Sequence, residues 1–379
     1  MTPPIKFFRA IIRCSKKMIK AGRGKTIDAV REVLDPPDVD MHALLQMRAR
    51  ANRSLDQVLG ITSTFASEDE RTHEEDIGRV ERLLSVVNLE TTGWRRLVKV
   101  ADRSVFHFLP TSSCEFATFI RCVTFHTWVV GVLNPDDPHN RELQHVDLTV
   151  EQITNAIFEF SEHGQTNVSP TQIHNILGQW VTGREDDPDY RAINLVFPLY
   201  DKLWRLVAAT VICAQRYPVS RNPLLDFCEN PTRRQFAISM GGSGDPSAAD
   251  VVNEVLRLYP PIEQISRPYG LPRWQAMLKC HVQTADIKAV QEYDEGGSRM
   301  PEPREFMPER WQNEIKPAMF AFGEGKLRCP AHGWVPAAAA LIAAKVMDGI
   351  DGVRLRMERP SGGGDTRYNW EGWTVRRVR

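Results

Sequence analysis

The chain has 379 residues, of which 42% are hydrophobic and 25% charged. That length and balance exclude a disordered chain and leave room for a large buried core. Lys+Arg and Asp+Glu both total 48, so no net field points to nucleic acid or to a charged membrane surface.

Residues 1–25 are apolar in part, but Lys6, Arg9 and Arg13 break the run. It falls short of the roughly 20 apolar residues of a spanning helix, so no transmembrane anchor is expected. It reads as a solvated first helix or as a basic amphipathic helix on a membrane surface. Residues 26–34 predict a helix capped by Thr26 and stopped before Pro36 and Pro37. Helical spacing recurs over 70–88, 93–109, 113–133 and 149–161. The longest apolar helical pattern is 190–217, with Pro198 inside it and Asp201, Lys202 and Arg205 near its middle. Those charges argue against a membrane span and for a long helix through a soluble core.

The stretch 241–247 (GGSGDPS) lacks the GxGxxG spacing and follows no clear strand, so it is a loop and not a dinucleotide fingerprint. A short helix over 248–258 ends at Pro260 and Pro261, and 262–318 reads as short strand-like pieces among Pro and Gly. The stretch 334–347 is rich in alanine, with small side chains on all sides, which predicts a buried helix. Residues 352–358 and 367–375, joined by Ser-Gly-Gly-Gly-Asp at 361–365, read as a hairpin. The fold class is mainly α, one large domain over 1–379 with small β-sheets late in the chain.

The cysteines are Cys14, Cys114, Cys122, Cys213, Cys228, Cys280 and Cys329, odd in number and never in a CxxC pair. This argues against a disulfide scaffold or a structural zinc site and for a reducing interior. Cys329 stands apart, in FAFGEGKLRCPAHGW (320–334). A phosphate loop fails there, because Phe320 holds the first glycine's place and Leu327 follows the lysine instead of Ser or Thr. A turn cysteine, a nucleophile served by His332 and a metal ligand remain. The alanine-rich helix that follows favours a thiolate at its N-terminus, in an apolar setting suited to a borderline metal such as haem iron. Upstream, Glu254 and Arg257 are spaced to pair on one helix face, and Arg310 in a Pro-fixed turn can join them.

Three segments in order carry a resemblance: Glu254-x-x-Arg257, Phe306-x-Pro308-Glu309-Arg310-Trp311 and Phe322-x-x-Gly325-x-x-x-Cys329. With 284–290 between them, they resemble the cytochrome P-450 enzymes, the haem-thiolate monooxygenases, over about residues 190–350. The resemblance implies haem, with Cys329 as the axial ligand of iron and Phe322 and Gly325 lining the cofactor. It implies a structural triad of Glu254, Arg257 and Arg310, a haem-binding core over 248–350, and a central distal helix over 190–217. Arg267 resembles the propionate-pairing arginine. His73, on an early helix with Arg79 after it, is the nearest counterpart of a second propionate contact, against a reading as a solvated helix residue.

The resemblance also implies a monomer that takes a small apolar substrate and electrons from an NADPH-dependent reductase, with no nucleic acid partner. An intracellular setting follows, cytoplasmic or peripheral to the endoplasmic reticulum, in a fungal type of secondary metabolism. Leu327 departs from the pattern, standing where a propionate-pairing Arg or His belongs, with Lys326 and Arg328 as neighbours. Ala331 replaces a glycine, and Asp201-Lys202 stands where an acid and a threonine would relay protons. That last change keeps two alternatives open: a haem-thiolate isomerase, dehydratase or peroxygenase, and a non-catalytic relative.

Overall fold

The computed structural model describes residues 26–86, 93–133, 147–181, 191–239, 244–268, 282–352, 355–358 and 372–377. The basic segment 1–25, the turn 361–365 and most of the glycine stretch 241–247 lie outside the described residues.

The architecture is mainly helical. Helix α1 (Ile27–Leu34) is capped by Thr26, whose hydroxyl accepts the Ala29 N–H. Helices α2 (Met41–Ala51) and α3 (Arg53–Leu59) follow, then α4 (Glu70–Val86) and α5 (Gly93–Phe108). The expected helix over 113–133 starts as strand β1 (Ser113–Glu115) before α6 (Phe116–Trp128) and a wider turn over Val129–Leu133. Pairing explains the correction: β1 lies antiparallel to a C-terminal strand, with Cys114 opposite Val375. Next come α7 (Asp147–His163), α8 (Pro170–Trp180) and α9 (Ala192–Arg216), which runs through Pro198. Helices α10 (Arg221–Glu229), α11 (Arg233–Ala237) and α12 (Ala248–Leu258) lead to the antiparallel pair β2 (Gln264–Pro268) and β3 (Val282–Asp286). After α13 (Ile287–Val290) come α14 (Val335–Gly352), β4 (Leu355–Glu358) and β5 (Thr374–Arg377). Late in the chain β4 pairs antiparallel with β5, whose described span is Thr374–Arg377 against the expected 367–375, and β1 extends the pair to three strands in the order β1-β5-β4.

Two helices organise the core. Helix α14 buries Ala337 to Ala340, Ala343 and Ala344, and α9 buries Val207, Ala208, Ala209 and Val211. Small side chains let these backbones approach closely, and α5, α6, α10 and α12 pack around them. A side chain at Gly349 would collide with Val105, so α5 and α14 need a glycine there. A second cluster seats α1 on the small sheet through Ile27, Val30, Leu34, Ala285 and Phe320. The stretch Phe116–Leu133 is apolar and long enough to cross a membrane by composition, yet 83% of it is buried inside the fold. It therefore reads as a core helix.

The core also holds a histidine that nothing in the sequence singles out. The Ser104 hydroxyl donates to the Val100 carbonyl at 2.7 Å and accepts from His126 Nδ1 at 2.7 Å and Thr127 at 3.2 Å. Burial, with His107 and Arg103 nearby, pulls the His126 pKa down to about 3. The unfolded histidine takes a proton near its ordinary value, so the folded state binds fewer protons between the two values. Stability from this group is complete above about pH 6.5 and is lost as pH falls from there toward about 3. His126→Gln should therefore flatten the pH dependence of the denaturation midpoint. Between about pH 6.5 and 5 the wild-type chain should lose roughly 2 kcal/mol more than the variant. Parallel slopes for the two proteins would show that His126 does not titrate this way.

Candidate functional site

Helix α12 presents Glu254 and Arg257 on one face because they are three residues apart. Ser247 and Asp250 cap its start reciprocally. Arg257 forks onto Glu254, with Nε to Oε2 at 2.8 Å and Nη2 to Oε1 at 2.7 Å. Both side chains are inaccessible to solvent, at 1% and 0% exposure. Arg257 also donates to the carbonyls of Gln291, Pro303 and Glu305. Glu254 accepts from Met307 N and Trp311 Nε1 and lies 3.5 Å from Arg310 Nε. Arg310 in turn holds the Pro301 and Glu302 carbonyls, each at 2.6 Å. Glu254, Arg257 and Arg310 thus come together, one carboxylate between two guanidinium groups, with most donors used on it and on backbone carbonyls.

Gln291, unremarked in the sequence, connects this network to the cysteine loop. Its Nε2 donates to the carbonyls of Leu256 and Arg257 that end α12, and its Oε1 accepts Phe320 N–H at 2.9 Å. Phe320 begins the loop. Gly323 and Gly325 turn it through left-handed backbone, at φ 69° and 68°. The Cys329 N–H closes it on the Phe322 carbonyl at 2.9 Å.

Cys329 is half-buried beside the main core, to which Phe322 and Leu258 also contribute. Burial pushes its thiol pKa up, against the Ala331 N–H and Arg328, which pull it down. This corrects the expected helix-terminus thiolate: Cys329 precedes a single 3-10 turn, Pro330–Gly333, and α14 starts only at Val335. One amide does not offset the loss of water. His332 is no base for the sulfur, since its Nδ1 donates to the Cys329 carbonyl at 3.0 Å.

Two more residues have partners that the sequence does not show. Gly325 meets the end of α1: a side chain there would collide with Asp35. Lys326 is held by Asp35 at 3.3 Å and by the Val39 carbonyl. The loop's lysine is therefore tied to α1, and Gly325 serves that close approach. His73 is 7% exposed, so it is no solvated residue. Its Nδ1 lies 2.8 Å from Thr64 Oγ1 and 3.4 Å from Arg48 Nη2. Burial and then Arg48 lower its pKa. Arg79 pairs with Asp76 at 3.1 Å. Arg267, on β2, donates Nη1 to the Ser266 carbonyl, while its buried Nε has no hydrogen-bond partner among the described residues.

On α9, Asp201 is buried and Lys202 is half-exposed. Lys202 Nζ is 2.5 Å from Asp201 Oδ2. Arg205 lies 3.6 Å from Asp201 and 2.9 Å from Glu162, and Ser161 donates to Asp201 at 3.2 Å. Burial alone would raise the Asp201 carboxyl, but Lys202 and Arg205 together hold it below the usual carboxylate range.

No family profile and no curated sequence matches this chain. Solved structures do. A 6-coordinated cytochrome P450 from Thermus thermophilus aligns over 91% of this chain and 92% of its own, with TM-score 0.55 and 14% identity. A cytochrome P450 from a second strain of that species aligns over 91% and 88%, with TM-score 0.52 and 13% identity. P450BioI, solved in complex with acyl carrier protein ligated to hexadec-9Z-enoic acid, aligns over 93% and 91%, with TM-score 0.50 and 13% identity.

The chain has the cytochrome P450 fold.

The P450 fold raises the question of whether these residues suit an iron porphyrin. Cys329 is a lone soft donor in an apolar shell, and among the described residues no group of three His, Cys, Asp or Glu could hold a bare ion. Such a donor set suits a metal that brings its own ring. Arg267 offers a buried, unpartnered N–H of the right charge for a carboxylate. The residues fit.

Proposed function

We propose that this protein is a haem-thiolate monooxygenase. It inserts one oxygen atom of dioxygen into an apolar small molecule, with electrons from an NADPH-dependent reductase. The observation that carries the reading is Cys329 on a loop anchored through Gln291 to the Glu254–Arg257 pair, within a P450 fold. Haem supplies the oxygen and one-electron chemistry when bound.

The chain's own residues do the rest. Cys329 would hold the haem iron through its sulfur, and Phe322 would shield that sulfur. Arg267 neutralises a haem carboxylate. Glu254, Arg257 and Arg310 fix the loop from behind. Asp201 holds a proton-accepting carboxylate within the fold, connected through Arg205 to the exposed Glu162. The substrate lies between α9 and the helices before it. Residues 1–379 act as one monomeric domain, cytoplasmic or resting on the endoplasmic reticulum through the basic segment 1–25, and the product belongs to secondary metabolism.

A second reading rests on the Lys202–Asp201 contact, where the resemblance puts a hydroxyl beside the acid. In it, the same haem-thiolate centre serves an isomerase, dehydratase or peroxygenase that needs no proton relay to dioxygen.

The absorption spectrum of the reduced, carbonyl-bound protein tests the common core. The main haem band should show the thiolate-type red shift, and Cys329→Ala should abolish it. A wild-type protein without that shift would sink both readings, and a shift that survives Cys329→Ala would assign the ligand elsewhere. Turnover that requires neither reductase nor dioxygen would decide for the second reading.

A further inference from the structure

Leu327 leaves the cysteine loop without the cation that the resemblance puts there, and Lys326 is committed to Asp35. A different part of the chain supplies an arginine. Arg48 lies on α2, which packs against β2, the strand that carries Arg267. The two guanidinium groups are close enough for Arg267 to depress the Arg48 pKa, second only to burial; it falls to about 10. Neither Nε has a hydrogen-bond partner among the described residues, and both are buried.

Among the described residues no carboxylate bonds to either arginine. Asp76 is the acid that acts on Arg48, but its Oδ1 accepts from Arg79 at 3.1 Å and its Oδ2 from Thr64 N at 2.7 Å. What does contact Arg48 is neutral or positioning in character. Nη2 donates to Thr64 Oγ1, Nη2 lies 3.4 Å from His73 Nδ1, and the guanidinium rests over the Phe65 ring at 5.3 Å. Two like charges on half-buried side chains are thus held near each other, each with a buried Nε donor unused. Such an arrangement is costly unless an anion completes it. The two carboxylates of a porphyrin are an anion of that charge, and bidentate guanidinium groups are suited to them.

We infer that Arg48 and Arg267 together form the clamp for the haem carboxylates, with Thr64 and His73 positioning Arg48. The inference rests on the haem reading and adds to it a cofactor-binding residue in place of the missing loop cation.

The test is a cycle between the residue and the carboxylates. Holoprotein is prepared with haem and with haem dimethyl ester, in which both carboxylates are blocked, and the rate of loss to an excess of an acceptor globin is measured. In the wild-type protein, the ester should leave about 10- to 100-fold faster than haem, the range for charge-assisted hydrogen bonds. In Arg48→Gln, haem itself should leave faster by a similar factor, and the ester penalty should shrink to a few-fold. An undiminished ester penalty in Arg48→Gln would overturn the clamp, whatever the variant does to overall haem retention. If Arg48→Gln does not fold, Arg48→Lys carries the same cycle. Its single point charge should lower the penalty by about threefold or more, and a penalty equal to wild type would overturn the inference. The two readings fail separately. Loss of the Cys329-dependent spectrum in the wild-type protein removes the haem reading, whereas a normal spectrum with an additive cycle removes only the clamp.

Discussion

Arg257→Ala should yield a protein that loses about 3–5 kcal/mol of stability and is recovered largely free of haem. The magnitude follows from what the substitution strands. Glu254 is fully buried and takes two of its hydrogen bonds from this one guanidinium. Without it, the carboxylate keeps Met307 N, Trp311 Nε1 and a looser contact to Arg310, which leave its charge poorly balanced. The carbonyls of Gln291, Pro303 and Glu305 lose their donor at the same time. Gln291 keeps its side-chain bonds to the Leu256 and Arg257 carbonyls but loses the guanidinium that holds its own carbonyl, and through its Oε1 it positions Phe320 at the start of the cysteine loop. Arg257→Lys should recover only part of the loss, because an ammonium cannot serve the forked contact and three carbonyls together. Denaturant midpoints and haem absorbance per protein measure the two effects. An unchanged midpoint would show the network to be dispensable to the fold. A lowered midpoint with full haem content would show that the network does not govern the cysteine loop.

The parts legible in the sequence are those whose cause is local. The Glu254–Arg257 pair follows from a three-residue spacing on a helix, and the starts of α1 and α12 follow from Thr26 and Ser247 at cap positions. Helix α14 follows from an alanine-rich run that has no polar face. What stayed hidden depends on partners distant in the chain. Strand β1 exists because β5, more than 250 residues later, pairs with it. Gly325 and Lys326 meet Asp35, 291 residues away from Lys326, a contact that no local pattern announces. His73 sits in a run of charged residues and so reads as solvated, but α4 turns it toward Arg48 and Thr64. Cys329 shows two local rules in conflict. Its position before a helix favours the thiolate, burial favours the thiol, and burial prevails because only one amide reaches the sulfur. Gln291 and Arg48 carry no motif; their roles appear only when three segments converge on each.

Asp201→Asn should lower reductase-driven, dioxygen-dependent turnover by about 100-fold or more while leaving the fold intact. The amide keeps the shape of the carboxylate, and Arg205 retains Glu162 at 2.9 Å as its partner, so no buried cation is stranded. What is lost is a group that can take up and pass on a proton. Turnover driven by peroxide should change far less, because peroxide brings oxygen already reduced and in part protonated. Lys202→Thr probes the same carboxylate from the other side. Burial pushes Asp201 up, and Lys202 is the leading influence against it, ahead of Arg205. Removing the lysine therefore raises the Asp201 pKa. If the carboxylate form is the active one, the acid limb of the pH–rate profile should move to higher pH in Lys202→Thr. An unmoved limb, with dioxygen-driven turnover of Asp201→Asn within about twofold of wild type, would make Asp201 a packing element of α9. The monooxygenase reading would then give way to the one without a dioxygen relay. That choice hinges on Lys202 because it stands at the sequence position where the resemblance puts a hydroxyl residue, and its ammonium tunes the acid beside it.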